Sequence, residues 1–87
     1  MTMQNRVQDA HLLRNGEVVA TGSASRVGAT GWEGRVTVPG RFIYGGGDSF
    51  ALRLPSGEEV VVDVDVSIQT ARGRQTVSHI DFRPPSN

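Results

Sequence analysis

The sequence contains no cysteine and no lysine, and it has no apolar run long enough to cross a lipid bilayer. Without cysteine there can be no disulfide framework, no thiolate metal site and no cysteine nucleophile. A membrane-spanning helix needs about 20 mostly apolar residues, so the sequence predicts none and indicates no membrane partner. The amino terminus also lacks the charged start and apolar stretch of a signal peptide, from which we expect a cytoplasmic location.

Neither positive nor negative charge is in excess, because nine arginines balance nine acidic residues. No overall field therefore favours nucleic acid or an anionic membrane. The 87 residues predict one domain, 1–87, with an ordered core at about 7–83 and a tail at 84–87. A core of this size leaves little room for a substrate cavity, and no G-x-S-x-G or H-E-x-x-H motif is present. We expect no enzyme and no cofactor.

Helical periodicity is missing, whereas β-branched residues and turn signals are frequent. The pattern predicts strands at 7–14, 17–26, 32–38, 42–44 with 49–54 as one interrupted element, 58–69 and 76–82. The fold class is therefore all-β. We predict a small antiparallel, partly closed β-barrel of five to six strands, with a two-sheet β-sandwich as the alternative.

Two short turns set the predicted pairing of the strands. Asn15-Gly16 is typical of a tight hairpin, because both residues tolerate a positive φ. Pro55-Ser56-Gly57 fits a three-residue loop that places Leu52 opposite Val60. A two-residue loop would place Leu52 on the face of the acidic residues, and a slip of one residue reverses every side chain.

Segment 58–69 shows the clearest alternation in the chain. Its apolar face carries Val60, Val62, Val64, Val66 and Ile68. The other face carries acidic and polar residues, as is typical of an antiparallel strand with one wet side. A turn at 71–73 would then place Asp65 opposite His79. A strand of this length can bend and serve both sides of a small barrel.

The same pairing collects a candidate metal site on the outer face. The residues are Asp63, Asp65, His79 and Asp81, with Asp63 opposite Asp81. Carboxylates and an imidazole on adjacent strands can ligate a divalent cation. A solvated strand face explains the same residues without any ligand, because neighbouring surface carboxylates repel by only about 0.2–1 kcal/mol.

Arginine and aromatic residues supply the other candidate sites. Small barrels that bind single-stranded nucleic acid combine a basic groove with stacking rings, and the candidate ligand-binding residues are Arg35, Arg41, Tyr44, Arg72 and Arg74. Trp32 and Phe42 are candidate interface residues, although Trp32 shares the parity of Val36 and Val38, which favours the core.

The sequence therefore favours a non-enzymatic binding module that recognises a protein through edge strands or loops. An exposed edge strand can also pair with a second copy of itself, so a homodimer is among the expected assemblies. A single-stranded nucleic-acid-binding module is the alternative, and it predicts affinity that falls steeply with salt.

Overall fold

The computed structural model describes residues 6–70 and 75–86, and every regular element in them is a β-strand. The strands are β1 (Arg6–Arg14), β2 (Glu17–Val27), β3 (Gly31–Pro39), β4 (Phe50–Arg53), β5 (Glu59–Val61), β6 (Asp63–Thr70) and β7 (Thr76–Arg83). All paired neighbours are antiparallel. The predicted all-β class is confirmed.

The seven strands form one sheet that curls into a half-barrel, in the order β5-β4-β1-β2-β3-β7-β6. β5 and β6 lie at opposite margins of this sheet, although only Val62 separates them along the chain. One residue can join both margins only if the sheet curls until they approach each other, and β4 and β6 do come close. The partly closed barrel is confirmed, with seven strands rather than five or six.

Both short turns form as their residue types predict. Asn15 and Gly16 have φ values of 52° and 87°, as a tight hairpin with two left-handed residues requires. Gly57 has a φ of 97°, and Leu52 pairs with Val60. The three-residue loop therefore sets the register that keeps the apolar residues of β4 and β5 on one face.

Two predicted strands are wrong in their extent. Residues 42–44 belong to a loop that runs from Gly40 to Ser49, and the Phe42 amide bonds the Ser78 side chain instead of the backbone of a neighbouring strand. Segment 58–69 is interrupted at Val62. The chain must bend there, because the residues before it pair with β4 and the residues after it pair with β7.

The register of the last hairpin is also corrected. Thr70 pairs with Thr76 rather than with Arg74, so the connection has five residues instead of three. Asp65 consequently faces Asp81 rather than His79, and Asp63 faces Arg83 rather than Asp81. Because the shift is two residues, each side chain keeps its predicted face. Residues 71–74, which include the predicted turn, lie outside the described part of the chain.

The core lies on the concave face of the curled sheet. Its buried hydrophobic residues are Ala10, Leu12, Ala24, Trp32, Val36, Phe50, Leu52, Leu54, Val62, Val64, Ile80 and Phe82. Strands β2 and β3 approach closely enough that a Cβ on Gly34 would lie 2.7 Å from the backbone oxygen of Ser23. A polar side chain, Ser78, is also fully buried in this core, and it positions the loop that leads to the candidate site.

Candidate functional site

The loop between β3 and β4 is held at its start by Ser78. The Ser78 hydroxyl donates a hydrogen bond to the carbonyl of Gly40 at 2.7 Å. It accepts one from the amide of Phe42 at 2.8 Å. The half-buried Phe42 amide would otherwise lack a partner where the chain leaves the sheet, whereas water can reach the exposed Gly40. One buried side chain therefore fixes the direction in which the loop departs.

The end of the loop is held by Asp48, which reaches the β1–β2 turn. Its carboxylate accepts hydrogen bonds from the Gly45 amide at 3.0 Å, from Asn15 Nδ2 at 2.9 Å and from Arg14 Nη2 at 2.7 Å. These donors stabilise the charged form, the Gly45 amide most strongly, and lower the pKa of Asp48 from 3.8 to about 2. The Ser49 amide in turn donates to Asn15 Oδ1 at 2.9 Å.

Three aromatic rings support the loop between its two anchors. The Phe42 and Phe50 centroids are 6.1 Å apart, and Tyr44 meets Phe50 edge-on at 5.6 Å, a favourable geometry for aromatic pairs. The Arg14 guanidinium lies 5.2 Å from the centroid of Phe42. The Tyr44 hydroxyl donates to the carbonyl of Val64 at 3.3 Å. The loop thus brings Tyr44 to the margin of β6.

An open groove of about 430 Å³ lies where this loop meets the bend between β5 and β6. Its lining combines the apolar side chains of Tyr44, Phe50 and Val61 with the charged side chains of Asp48, Asp63 and Arg83. Val61 is 67% exposed. The groove therefore presents both apolar and charged groups beside the margin of the sheet.

The hydrogen-bond ladder shows which backbone groups of β6 are not bonded to β7. The Gly40 amide donates to the carbonyl of Thr76 at 2.7 Å, so the Thr76 backbone points toward β3. In antiparallel pairs, residues that exchange hydrogen bonds alternate with residues whose backbone points away. Thr76 pairs with Thr70, so the backbone N–H and C=O groups of Thr70 point away from β7. By the same alternation, the backbone groups of Ile68 and Val66 also point away from β7.

We refer to these outward-pointing backbone groups of Val64, Val66, Ile68 and Thr70 as the β6 edge. The bond from Tyr44 to the Val64 carbonyl agrees with their direction. Within residues 6–70 and 75–86, β7 is the only strand beside β6, and no loop backbone bonds Val66 or Ile68. Ile68 lies on the predicted core face but is 41% exposed, because a strand at the margin has a neighbour on one side only.

The outer face of β3, β7 and β6 carries paired polar groups. Arg35 forms two hydrogen bonds with Asp81, at 2.7 and 3.1 Å. This pairing raises the pKa of Arg35 and lowers the pKa of Asp81. Asp65 forms an ion pair with Arg83. The charges on this face are therefore compensated locally.

The four candidate metal ligands lie on this face, but each has its own partner. Asp81 binds Arg35, Asp65 binds Arg83, and Asp63 accepts a hydrogen bond from the Ser86 amide at 3.2 Å. The two ring nitrogens of His79 bond Thr37 at 2.9 Å and Gln69 at 3.0 Å. Among the residues that the structure describes, no group of three or more histidines and carboxylates is placed to hold a metal ion.

The candidate arginines do not converge in the described part of the chain. Arg35 lies on the outer face with Asp81, whereas Arg41 and Tyr44 lie in the loop. Arg72 and Arg74 fall outside the described residues, so their contribution stays a prediction.

The two candidate interface residues differ in burial. Trp32 is buried in the core at 4% exposure, with the Arg26 guanidinium 4.8 Å from its ring centroid. Phe42 is half-buried and packs against the edge of the core. Of the two, Phe42 lies nearer the surface.

The sequence did not predict the residues that anchor the loop. Ser78 lies in the same alternation as the apolar residues Ile80 and Phe82 of its strand. A serine at such a core position is the signal that could have indicated its role. Asp48 follows three glycines and reaches Arg14 and Asn15 from 33 or more positions away along the chain. No local pattern encodes a contact across that separation.

Comparisons were made with protein-family models, with curated proteins and with solved structures. None of the three finds a match to this chain. In the described residues there is no helix of the length and apolarity needed to cross a membrane.

Proposed function

We propose that this chain is a non-enzymatic interaction module that binds an extended protein segment as an added strand along the β6 edge. The observation that carries the proposal is the outward-pointing backbone at Val66 and Ile68, together with the exposed Ile68 side chain. An added strand would bond those groups, which is how β-augmentation provides affinity. An apolar side chain placed opposite Ile68 would contribute specificity.

The anchored loop supports this proposal because it holds the neighbouring surface in place before any partner arrives. Ser78 and Asp48 fix its two ends, and the Tyr44 hydroxyl already donates a hydrogen bond to the Val64 carbonyl. The β6 edge therefore has a defined end, beyond which a bound segment would enter the groove between the loop and the bend at Val62. An edge that is already ordered loses less conformational entropy on binding.

A short synthetic peptide of alternating valine and threonine, flanked by lysines for solubility, tests the proposal. Titrated into the labelled chain, it should slow amide exchange at Val66 and Ile68 and leave the outer face unchanged. Ile68→Glu should weaken the effect at least tenfold, because it places a charge against the added strand. Val18→Glu is the matched control, since Val18 is also exposed, on β2. Unchanged exchange at Val66 and Ile68 would refute the proposal.

The nucleic-acid alternative predicts a response at other residues. A degenerate single-stranded oligonucleotide should then shift the amides of Arg35, Arg41 and 72–74, and added salt should reverse the shifts. Such a response without any effect of the peptide at the β6 edge would favour the alternative. The cytoplasmic location expected from the sequence stays a prediction.

A further inference from the structure

We infer that the segment that binds the β6 edge is β6 of a second copy of this chain, paired antiparallel about a two-fold axis at Ser67. This inference rests on the proposed function of the β6 edge. In this register β6 packs its apolar side chains against those of the second copy and opposes no two like charges.

The two-fold axis determines which residues meet. Val66 of one copy faces Ile68 of the other, and both have outward-pointing backbone groups that can exchange hydrogen bonds. At the axis, Ser67 of one copy faces Ser67 of the other. The backbone groups of each Ser67 are already bonded to β7 of the same copy, so this pair exchanges no hydrogen bonds. The arrangement therefore adds backbone hydrogen bonds at both Val66–Ile68 pairs without breaking any bond within either copy.

Side chains on both faces fit this register. On the core side, each exposed Ile68 packs against Val66 of the second copy. On the outer side, Asp65 lies opposite Gln69, so a carboxylate meets an amide rather than a like charge. No pair of acidic residues is opposed between Asp65 and Gln69, which is the condition for a strand to accept its own copy.

Neighbouring registers fit less well. An axis at Val66 would pair Ile68 with Val64, whose carbonyl already accepts the Tyr44 hydroxyl. An axis at Ile68 would pair Val66 with Thr70, which replaces an apolar contact with a polar partner. The Tyr44 contact also limits the ladder to a few residues on each side of Ser67. We therefore expect a weak dimer whose population rises with protein concentration, as is typical of complexes whose interfaces bury less than about 1,200 Å².

Disulfide trapping tests the register directly, because the natural chain has no cysteine. Ser67→Cys places two thiols at a pair that does not exchange hydrogen bonds, where Cα atoms are about 4.5 Å apart. That spacing lies within the range that a disulfide bridges. Under mild oxidation, Ser67→Cys should form covalent dimers at least tenfold faster than Asp65→Cys or Gln69→Cys alone. Each of those thiols lies about 13 Å from its own copy.

A mixture of the Asp65→Cys and Gln69→Cys chains should cross-link as fast as Ser67→Cys, because these positions face each other. Equal rates in all three single variants would overturn the inference, since random collision produces that result. Fast cross-linking of Ser67→Cys with Gln69→Cys in a mixture would also overturn it, because it places the axis at Ile68.

Sedimentation equilibrium of the unmodified chain provides the second measurement. Dimer should form with rising concentration, and Ile68→Glu should raise the dissociation constant at least tenfold while Val18→Glu leaves it unchanged. A chain that stays monomeric at about 1 mM, the weak end of specific association, overturns the inference. If the valine–threonine peptide still binds such a chain at Val66 and Ile68, the proposed function stands and only the second copy is excluded. If the peptide also fails to bind, the proposed function and the dimer are both refuted.

Discussion

Replacing Ser78 with alanine removes the hydroxyl that bridges Gly40 and Phe42 inside the core. Each neutral hydrogen bond contributes about 1 kcal/mol net, and a buried group left without a partner costs about 1–3 kcal/mol. Water can reach the exposed Gly40, so the larger cost falls on the half-buried Phe42 amide. We therefore expect Ser78→Ala to lower the free energy of unfolding by about 2–3 kcal/mol.

Trp32 is the one tryptophan of the chain and is buried, so its fluorescence can report urea unfolding. For a chain of this size, the expected loss corresponds to a fall in Tm of about 10–20 °C. Ser67→Ala is the matched control: Ser67 is exposed on the paired strand, and a surface change of this kind stays within about 0.5 kcal/mol.

If Ser78→Ala and Ser67→Ala unfold at the same urea concentration, the Ser78 hydroxyl does not stabilise the fold through Gly40 and Phe42. A second result separates a loss of anchoring from a general loss of packing. Amide exchange at Gly40, whose amide bonds the Thr76 carbonyl and not Ser78, should accelerate more than the fall in global stability predicts, because the loop opens locally. Acceleration equal to the global change would mean that Ser78 does not anchor the loop.

Two further predictions concern the close approach of strands and the dependence on pH. Gly34→Ala should destabilise the chain by about 1–3 kcal/mol, because the new methyl would lie 2.7 Å from a ring atom of Phe82. Gly46→Ala, which meets nothing within 4 Å, should be neutral in the same urea assay, and equal effects would contradict the packing argument. Folding lowers the pKa of Asp48 from 3.8 to about 2. Its contribution to stability is therefore present above pH 3.8 and is lost as pH falls toward about 2. Asp48→Asn should remove that part of the acid sensitivity in urea melts across this range, and an unchanged pH profile would contradict the assigned role.

The turns and the faces of the strands could be predicted from the sequence because both depend on neighbouring residues. Asn15-Gly16 supplies two left-handed residues in succession, and the three-residue loop at Gly57 follows from keeping Leu52 and Val60 on one face. An error of two residues in the last hairpin did not disturb the faces, since side chains alternate with a period of two.

The rest could not be predicted, because it depends on contacts between distant segments. The bend at Val62 arises only when the same stretch of chain must pair with β4 and then with β7. The anchors at Ser78 and Asp48 join positions that lie more than 30 residues apart. The exposure of Ile68 follows from the position of β6 at the margin, which the alternation alone does not reveal.

Amide hydrogen exchange along β6, measured on the dilute unmodified chain, shows whether the β6 edge lacks a backbone partner within the chain. We expect alternation: the amides of Val66 and Ile68 exchange rapidly because they point away from β7, while those of Asp65 and Ser67 are protected by their hydrogen bonds to β7. Equally slow exchange at all four residues would contradict it, because the β6 edge would then already be covered within the chain.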